Sequence, residues 1–271
     1  MNLELSTLEV VDLSKDYHGL AGAKQHVLQN VSLEVNLYQE KGTIVSVLAP
    51  FGAGKTTLLK MICGIEKPTS GEVILTGRKY NLNQMPGKIV YIPENPSSFP
   101  WYNVEENIKF AAGLKSRIVD PKKIEKLISI VGLEGYQNHF PHDKSLGFRF
   151  RISLARALAV EPQLLLLDDP LKNLNNQTKK EIKELILFIA DELHTSIILT
   201  TTNIHDSISI SDELYLMKKN PGMIIDKIRI DRLKIIEKNG DYFTSLKRQI
   251  EKAFAVFDNS SLISEAKEFQ L

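Results

Sequence analysis

Residues 49–57 have the composition and spacing of a phosphate-binding loop. They follow an apolar run at 44–48 and precede a helix-like stretch at 58–62, which is the strand, glycine-rich loop and helix order that such a loop requires. Glycines let backbone N–H groups turn inward around an anion at the positive end of the following helix. Lys55 is then expected to reach the outer phosphates of a nucleotide, and the Thr56 hydroxyl to bind Mg²⁺. The residues expected around the phosphates are Ala49, Gly52, Ala53, Gly54, Lys55, Thr56 and Thr57.

The loop departs from the eight-residue pattern at its first position, where Ala49 replaces glycine. A backbone in the β region accepts alanine, so the match is weakened but not lost. The competing interpretation is an ordinary turn before a core helix, and the loop alone does not exclude it. A second element of the same site is needed to favour nucleotide binding.

Two carboxylates, Asp168 and Asp169, follow four leucines at residues 164–167. This run predicts a buried strand, which in a parallel sheet would bring Asp168 to the carboxyl edge, where ligands bind. There Asp168 can hold the water shell of Mg²⁺ and Asp169 can orient an attacking water. A helix-capping turn is the alternative. The combination with the upstream loop favours a magnesium–nucleotide site.

Hydrophobic periodicity predicts a β-rich start, a helical insert after the phosphate loop, and then alternating strands and helices. The predicted strands are 8–13, 27–35, 44–48, 71–77, 88–92, 164–168 and 196–201, with two short ones within 213–230. The predicted helices are 104–114, 121–131, 145–160, 177–193 and 241–257. Residues 18–22 are a predicted loop, and the polar C-terminal residues a loose tail.

The composition is that of an ordinary globular protein, since 43% of the 271 residues are hydrophobic and 25% are charged. The net charge of +1 provides no strong field for nucleic acid, so no nucleic-acid partner is expected. The single cysteine, Cys63, fits a reducing compartment and is expected in the core. No apolar run approaches a membrane span, and the first residues lack a secretory pattern. We therefore expect a cytosolic protein without direct membrane insertion.

Several motifs in order resemble the ATP-binding subunit of an ABC transporter, over about residues 8–255. Residues 13–17 resemble the family's A-loop, in which Tyr17 would stack on adenine. Without the other motifs, Tyr17 would be interpreted as a packed loop aromatic. Residues 151–158 end in Ala-Arg-Ala-Leu just before the acidic strand and resemble the helix after the family signature. An amphipathic core helix would have a similar pattern.

The resemblance implies an α/β fold of the P-loop NTPase class, with a parallel core sheet, an N-terminal antiparallel β subdomain and a helical signature subdomain at about 95–160. It implies an ATPase domain at 1–255, followed by a tail at 256–271. ATP and Mg²⁺ would be the cofactors, with Thr56, Asp168 and Glu94 as metal ligands. Short stretches at 99–108, 220–225 and 241–243 are also similar in sequence to nitrate, sulfonate and taurine importer ATPases.

The chain departs from the family pattern in the half of the site that would hydrolyse ATP. The candidate catalytic residues are substitutions: Glu94 for the glutamine between the two lobes, Asp169 for the catalytic glutamate, and Thr202 for the switch histidine. Asp169 is one methylene shorter than glutamate, and a misplacement of about 1 Å can cost on the order of a hundredfold in rate. His205 could be a slipped substitute for the histidine, but the helical start at 203–206 favours a surface position.

The signature Leu-Ser-Gly-Gly-Gln falls on Lys-Ser-Leu-Gly-Phe at residues 144–148. Ser145 and Gly147 remain as nucleotide-binding candidates. Leu146 adds a side chain where a partner's γ-phosphate would approach backbone N–H groups, and Phe148 removes a polar group. Family members act as head-to-tail dimers in which each phosphate loop faces the other chain's signature. A chain altered in both halves would therefore affect both sites.

Two functions remain open from these residues. In the first, the chain is a peripheral ATP-binding subunit on the inner face of the cell membrane, which couples MgATP binding and slow hydrolysis to solute movement through separate membrane permease subunits. A second, non-identical ATP-binding subunit would complete the dimer, and the helical insert would dock on the permease near Glu94. In the second, the chain is a pseudo-ATPase whose ATP-dependent closure is itself a regulatory signal. A DNA-repair or translation ATPase is disfavoured, because such chains usually carry a second cassette or a long coiled coil.

Overall fold

The computed structural model describes residues 6–18, 24–37, 40–115, 119–142, 144–237 and 240–257. Its strands are β1 (Ser6–His18), β2 (Lys24–Leu37), β3 (Ile44–Leu48), β4 (Ser70–Leu75), β5 (Arg78–Lys79), β6 (Ile89–Ile92), β7 (Leu164–Leu167), β8 (Ser196–Thr201), β9 (Glu213–Lys218) and β10 (Met223–Arg229). Its helices are α1 (Lys55–Ile62), α2 (Val104–Lys115), α3 (Pro121–Ile130), α4 (Leu146–Ala159), α5 (Asn176–Glu192), α6 (Ile204–Ile210), α7 (Arg232–Ile236) and α8 (Gly240–Phe257).

Each predicted helix and strand has a counterpart, with shifts at the ends. The short elements β5 and α7 were not expected, because two to five residues are too few to establish a period. Of the predicted loop at 18–22, His18 lies in β1 and the rest falls outside the described residues. Of the predicted tail at 256–271, the first two residues lie in α8 and the rest also falls outside them.

The first sheet is antiparallel, with the strand order β2-β1-β4-β5. Its strands β1 and β2 are longer than the alternation predicts, because register shifts interrupt the pattern where Asp12 and Asn30 adopt positive φ angles of 48° and 47°. Tyr17 therefore lies in a strand, paired with Gln25, and the expectation of a loop position is wrong. The antiparallel N-terminal sheet itself is confirmed.

The second sheet has the order β10-β9-β3-β8-β7-β6, and its strands from β9 to β6 are parallel. Strand β10 is antiparallel to β9 and forms one edge of the sheet. The predicted parallel core is thus confirmed, with an antiparallel edge strand that the short connection between β9 and β10 requires. Strands β3, β7 and β8 are buried along their whole length, which explains their uninterrupted apolar character.

Two hydrophobic layers cover the opposite faces of this parallel sheet. Leu165 and Leu167 of β7 belong to a core shared with α2, α3, α4 and α5. Leu164 and Leu166 belong to a core shared with α1 and the antiparallel sheet, which also contains the buried Cys63 as expected. The alternation along one strand therefore fixes the helical layer on one side and the β layer on the other. No helix among the described residues is long and apolar enough to cross a membrane.

Candidate active site at the carboxyl edge of the parallel sheet

The glycine-rich loop joins the end of β3 to the start of α1. Gly52 and Gly54 have positive φ angles of 79° and 91°, which side chains rarely adopt. At Gly54 a Cβ would also lie 2.8 Å from Leu28 Cδ2, so β2 supports the loop from behind. Ala49 is buried, has no positive φ, and donates its N–H to the Thr201 carbonyl at 3.1 Å. The expectation that alanine fits this position is confirmed.

Lys55 is the charged group at the centre of the loop and is only 6% exposed. Its ammonium donates to the Ala49 and Pro50 carbonyls at 3.2 and 3.4 Å and lies 3.6 Å from Asp169 Oδ2. Burial lowers the pKa of Lys55, while the two neighbouring aspartates oppose that effect. The ammonium is thus held inside the loop between carbonyl groups and a carboxylate.

Asp168 accepts hydrogen bonds from three hydroxyl groups that come from three different elements. The donors are Thr56 at 2.7 Å, Tyr91 at 3.0 Å and Thr200 at 2.8 Å. The alternative of a helix-capping turn is therefore wrong for Asp168. Burial and the Asp168 charge raise the pKa of Tyr91, so that its hydroxyl stays protonated and keeps donating. The carboxylate and the Thr56 hydroxyl are oxygen ligands of the type that Mg²⁺ prefers, and they fit this ion bound together with phosphates.

Asp169 lies next to Lys55 in a backbone conformation with a φ of 44°. Its N–H donates to Thr200 Oγ1 at 3.0 Å, so this one hydroxyl fixes both aspartates. Burial raises the pKa of Asp169 and the Lys55 ammonium counteracts the rise. The carboxylate is partly buried and lies beside the lysine of the phosphate loop, and a carboxylate in such a position can orient a water molecule.

Glu94 and Thr202 follow β6 and β8, the strands on either side of β7. Glu94 makes an ion pair with Lys172, with 2.7 Å between Oε1 and Nζ. Thr202 is half-buried and lies just before Asn203, the N-cap of α6. His205 is exposed on α6 with its ring centroid 4.9 Å from that of Phe243, so the expectation of a surface position is confirmed.

Tyr17 approaches the same site from β1. Its hydroxyl donates to the Glu66 carboxylate, and the ring remains 39% exposed. The Lys15 ammonium lies 5.0 Å from the ring centroid and covers one face. A partly exposed aromatic ring of this kind can stack on a planar group.

The signature-like residues form the start of α4, on the helical layer. Ser145 is the N-cap and accepts the Phe148 N–H at 3.3 Å, which leaves its own hydroxyl proton free to be donated. Gly147 packs so closely that a Cβ would lie 2.5 Å from the Thr178 methyl group. Leu146 is half-buried in the first turn, and the Phe148 ring contacts Tyr136 with 5.5 Å between centroids.

Sequence reasoning missed several residues that hold the site together. Thr200 and Tyr91 donate hydrogen bonds that fix Asp168. No local sequence pattern identifies the hydrogen-bond partner of a hydroxyl group at the end of an apolar strand. Gly222 supports the loop, because a Cβ there would lie 2.2 Å from the Ala53 carbonyl oxygen. The Asn-Pro-Gly sequence that contains Gly222 was a usable signal for such a close approach.

Comparison with known proteins gives consistent matches. A family model described as ABC transporter matches residues 28–172. An aliphatic sulfonates import ATP-binding protein of Bacillus cereus (strain ZK / E33L) is 32% identical over 92% of this chain and 96% of its own length. A taurine import ATP-binding protein of Yersinia pestis bv. Antiqua (strain Antiqua) is 33% identical over 83% of this chain and 84% of its own length.

Solved structures are similar in fold. A dimeric ATP-binding cassette in a post-hydrolysis state with ADP and Pi has a TM-score of 0.71 at 24% identity, over 83% of this chain and 99% of that one. The cbiO1 protein of Clostridium perfringens, part of an ABC transporter complex, has a TM-score of 0.70 at 22% identity, over 90% of this chain and 96% of that one.

Proposed function

This chain belongs to the ABC transporter family, and we propose that it is an ATP-binding subunit that couples MgATP binding and slow hydrolysis to solute movement through separate membrane permease subunits. The observation that carries the proposal is the cluster of Lys55, Thr56, Asp168 and Asp169 at one edge of the parallel sheet. Lys55 would bind the outer phosphates, and Thr56 with Asp168 would hold Mg²⁺. The bound ion would neutralise phosphate charge.

Hydrolysis would be slow because the groups that act on the attacking water are shortened or replaced. Asp169 is the candidate for orienting that water. Its carboxylate makes an ion pair with Lys55, with 3.6 Å between Oδ2 and Nζ, which would keep it away from the water. Thr202 follows β8 where the resemblance predicts a histidine, and it has neither the length nor the charge of one. Glu94 would place a carboxylate beside the metal where the family uses a neutral amide, and that charge is paired with Lys172.

A groove beside β6 is the proposed permease docking surface. It has a volume of about 620 Å³ and is lined by residues that include Tyr91, Pro93, Leu114 and Arg156. Beside it, the Arg156 guanidinium lies 4.3 Å from the Phe99 ring, which packs on the 66% exposed Trp101 with 5.4 Å between ring centroids. An exposed aromatic group beside an apolar groove suits a partner helix. The protein would thereby lie on the inner face of the cell membrane.

The proposed direction is import, and the proposed solute is a small organic anion such as a sulfonate. The support comes from the names of the relatives and from the similar sequences at 99–108, 220–225 and 241–243.

Tyr17→Ala is expected to weaken MgATP binding about tenfold, because base stacking on an aromatic ring is worth roughly 1–3 kcal/mol. Titration calorimetry on the full chain measures the effect. Tyr17→Phe is the matched control: it keeps the ring and loses the hydroxyl with its hydrogen bonds to Glu66 and Thr57, so its affinity should stay near that of the wild type. Equal binding by the alanine variant would contradict the adenine assignment.

We expect the second ATP-binding subunit to be non-identical. In a dimer of identical chains, each phosphate loop would face the Leu146 side chain, which crowds the approach that glycine would leave open. A partner with an unaltered signature would relieve this crowding at the Lys55 site only. The complex would then have asymmetric sites, with ATP retained at Lys55.

Leu146→Gly should therefore speed hydrolysis at the partner's phosphate loop and leave nucleotide retention at Lys55 unchanged. The measurements are single-site turnover and bound-nucleotide content of the complex. Leu146→Ala is the control, since it trims the side chain without the helix cost of glycine, roughly 1 kcal/mol, and should give a smaller gain. A complex with two copies of this chain and no other ATPase would refute the heteromeric arrangement, and equal turnover at both sites would refute the asymmetry.

The alternative function is that of a pseudo-ATPase, a regulatory or structural subunit that closes on ATP without turnover. It is favoured by the replacements at Glu94, Asp169 and Thr202. The deciding experiment is to purify the complex from its own membrane, determine its subunits by native mass measurement, and assay MgATP turnover. Permease subunits together with turnover that depends on Lys55 support the first function. Nucleotide-dependent closure without turnover supports the second.

A further inference from the structure

The Lys172 ammonium connects three loops at the mouth of the candidate site. Lys172 lies in the turn after β7, where its N–H donates to the Asp169 carbonyl at 3.1 Å. Its Nζ is 2.7 Å from Glu94 Oε1 on the loop after β6 and 5.6 Å from the centroid of the Phe51 ring in the phosphate loop. One side chain thus contacts both the phosphate loop and the residue that replaces the expected glutamine.

The residue at position 94 affects the net charge of the site. A glutamine at position 94 would be neutral, whereas Glu94 adds a negative charge to an edge that already holds Asp168 and Asp169. Lys55 is the single cation that the phosphate-loop pattern supplies. An unpaired third carboxylate would repel the outer phosphates, because like charges in a partly buried site are screened only weakly.

The electrostatic neighbours of Lys172 agree with this location. The hydrogen bond to Glu94 raises the pKa of Lys172, and the charges of Asp169 and Asp168 add to the rise. Lys172 in turn adds to the lowering of the Lys55 pKa and opposes the rise of the Asp169 pKa. The charge of Lys172 therefore acts on the pKa values of the groups that would face the outer phosphates.

We propose that Lys172 is a positioning residue of the nucleotide site, which neutralises the Glu94 carboxylate and so allows an acidic residue beside the outer phosphates. The inference rests on the proposed function, because it assumes that MgATP binds at Lys55. Lys172 acts through Glu94 and makes no contact of its own with phosphate. The two residues form a functional pair, although they lie in separate parts of the sequence.

The test is a double-mutant cycle on the full chain, with the affinities for MgATP and MgADP measured by titration calorimetry. Lys172→Met should weaken MgATP binding about tenfold, because it leaves Glu94 unpaired. Glu94→Gln keeps the side-chain oxygen that the family places beside the metal and removes only the charge, so it should bind MgATP at least as tightly as the wild type, and the double variant should return to within about twofold of it. Lys172→Arg keeps the charge and should behave as the wild type. MgADP, which lacks the γ-phosphate, should be affected less than MgATP.

Each other outcome overturns the inference. Unchanged binding by Lys172→Met means that the pair plays no part. A double variant as weak as Lys172→Met means that Lys172 contacts the phosphates directly. Weaker binding by Glu94→Gln means that the carboxylate is needed for the metal, and equal losses for MgATP and MgADP mean that the effect is not local to the outer phosphates.

Two controls separate these results from misfolding and from failure of the proposed function. Lys79→Met removes a similar pair, with 3.0 Å between the Lys79 and Glu72 side chains on the antiparallel sheet, and should leave MgATP affinity unchanged. Thermal melting without nucleotide reports whether each variant folds, and Lys172→Gln replaces Lys172→Met if the latter does not. Lys55→Ala is measured alongside: wild-type affinity in that variant refutes the proposed function, whereas its loss together with unchanged binding by Lys172→Met refutes this inference alone.

Discussion

Lys55→Ala is expected to weaken MgATP binding by tenfold or more. The ammonium would contribute charge-assisted hydrogen bonds to the outer phosphates, worth roughly 1.5–3 kcal/mol. Its 6% exposure places it inside the loop, where water replaces such a contact poorly. The substitution also leaves the Asp169 carboxylate without its cation, which adds repulsion towards the phosphates. Titration calorimetry on the isolated chain measures the change.

The matched control for this prediction is Lys60→Ala, which removes a lysine from the same helix at the end away from the loop. Its MgATP affinity should equal that of the wild type. Should Lys55→Ala bind MgATP as tightly as the wild type, the phosphate-loop assignment is wrong, and with it the nucleotide site.

The second large effect is a gain of turnover in the double variant Asp169→Glu with Thr202→His. The longer carboxylate would reach a water that Asp169, held near Lys55, does not orient well. Histidine would restore the group that the resemblance predicts after β8. Since a displacement of about 1 Å can cost on the order of a hundredfold, the gain in kcat should approach that factor if these two groups limit the reaction. Steady-state phosphate release measures it.

Asp169→Asn is the control for this gain, because it keeps the shape and removes the carboxylate. It should retain MgATP and lose the remaining turnover. Glutamate is less suited than aspartate to the φ of 44° at this position, so the melting temperature of the double variant must be compared with that of the wild type. A wild-type turnover on the order of tens per second, typical of competent enzymes, would contradict the proposed impairment. Absence of any gain would leave Leu146 and Phe148 as the limiting residues.

The features that the sequence predicted well are those encoded over a few consecutive residues. The phosphate loop is one of them, because its backbone turns and its lysine lie within residues 49–57. The buried strands β3, β7 and β8 are others, since a parallel strand covered on both faces must be apolar throughout. The predicted strand at 8–13 stopped short of Tyr17 because the bulges in β1 disturb the alternation by which strands are recognised.

By itself, the sequence determined the fold class, the phosphate loop and the acidic strand end, because periodicity and glycine geometry act over neighbouring residues. Only the tertiary structure decided which distant groups meet. It brought the hydroxyls of Thr56, Tyr91 and Thr200 to Asp168, and it paired Glu94 with Lys172. The physical reason is the parallel sheet, whose crossover connections bring together strand ends that are far apart in the chain. Local sequence patterns do not indicate which of these strand ends are adjacent.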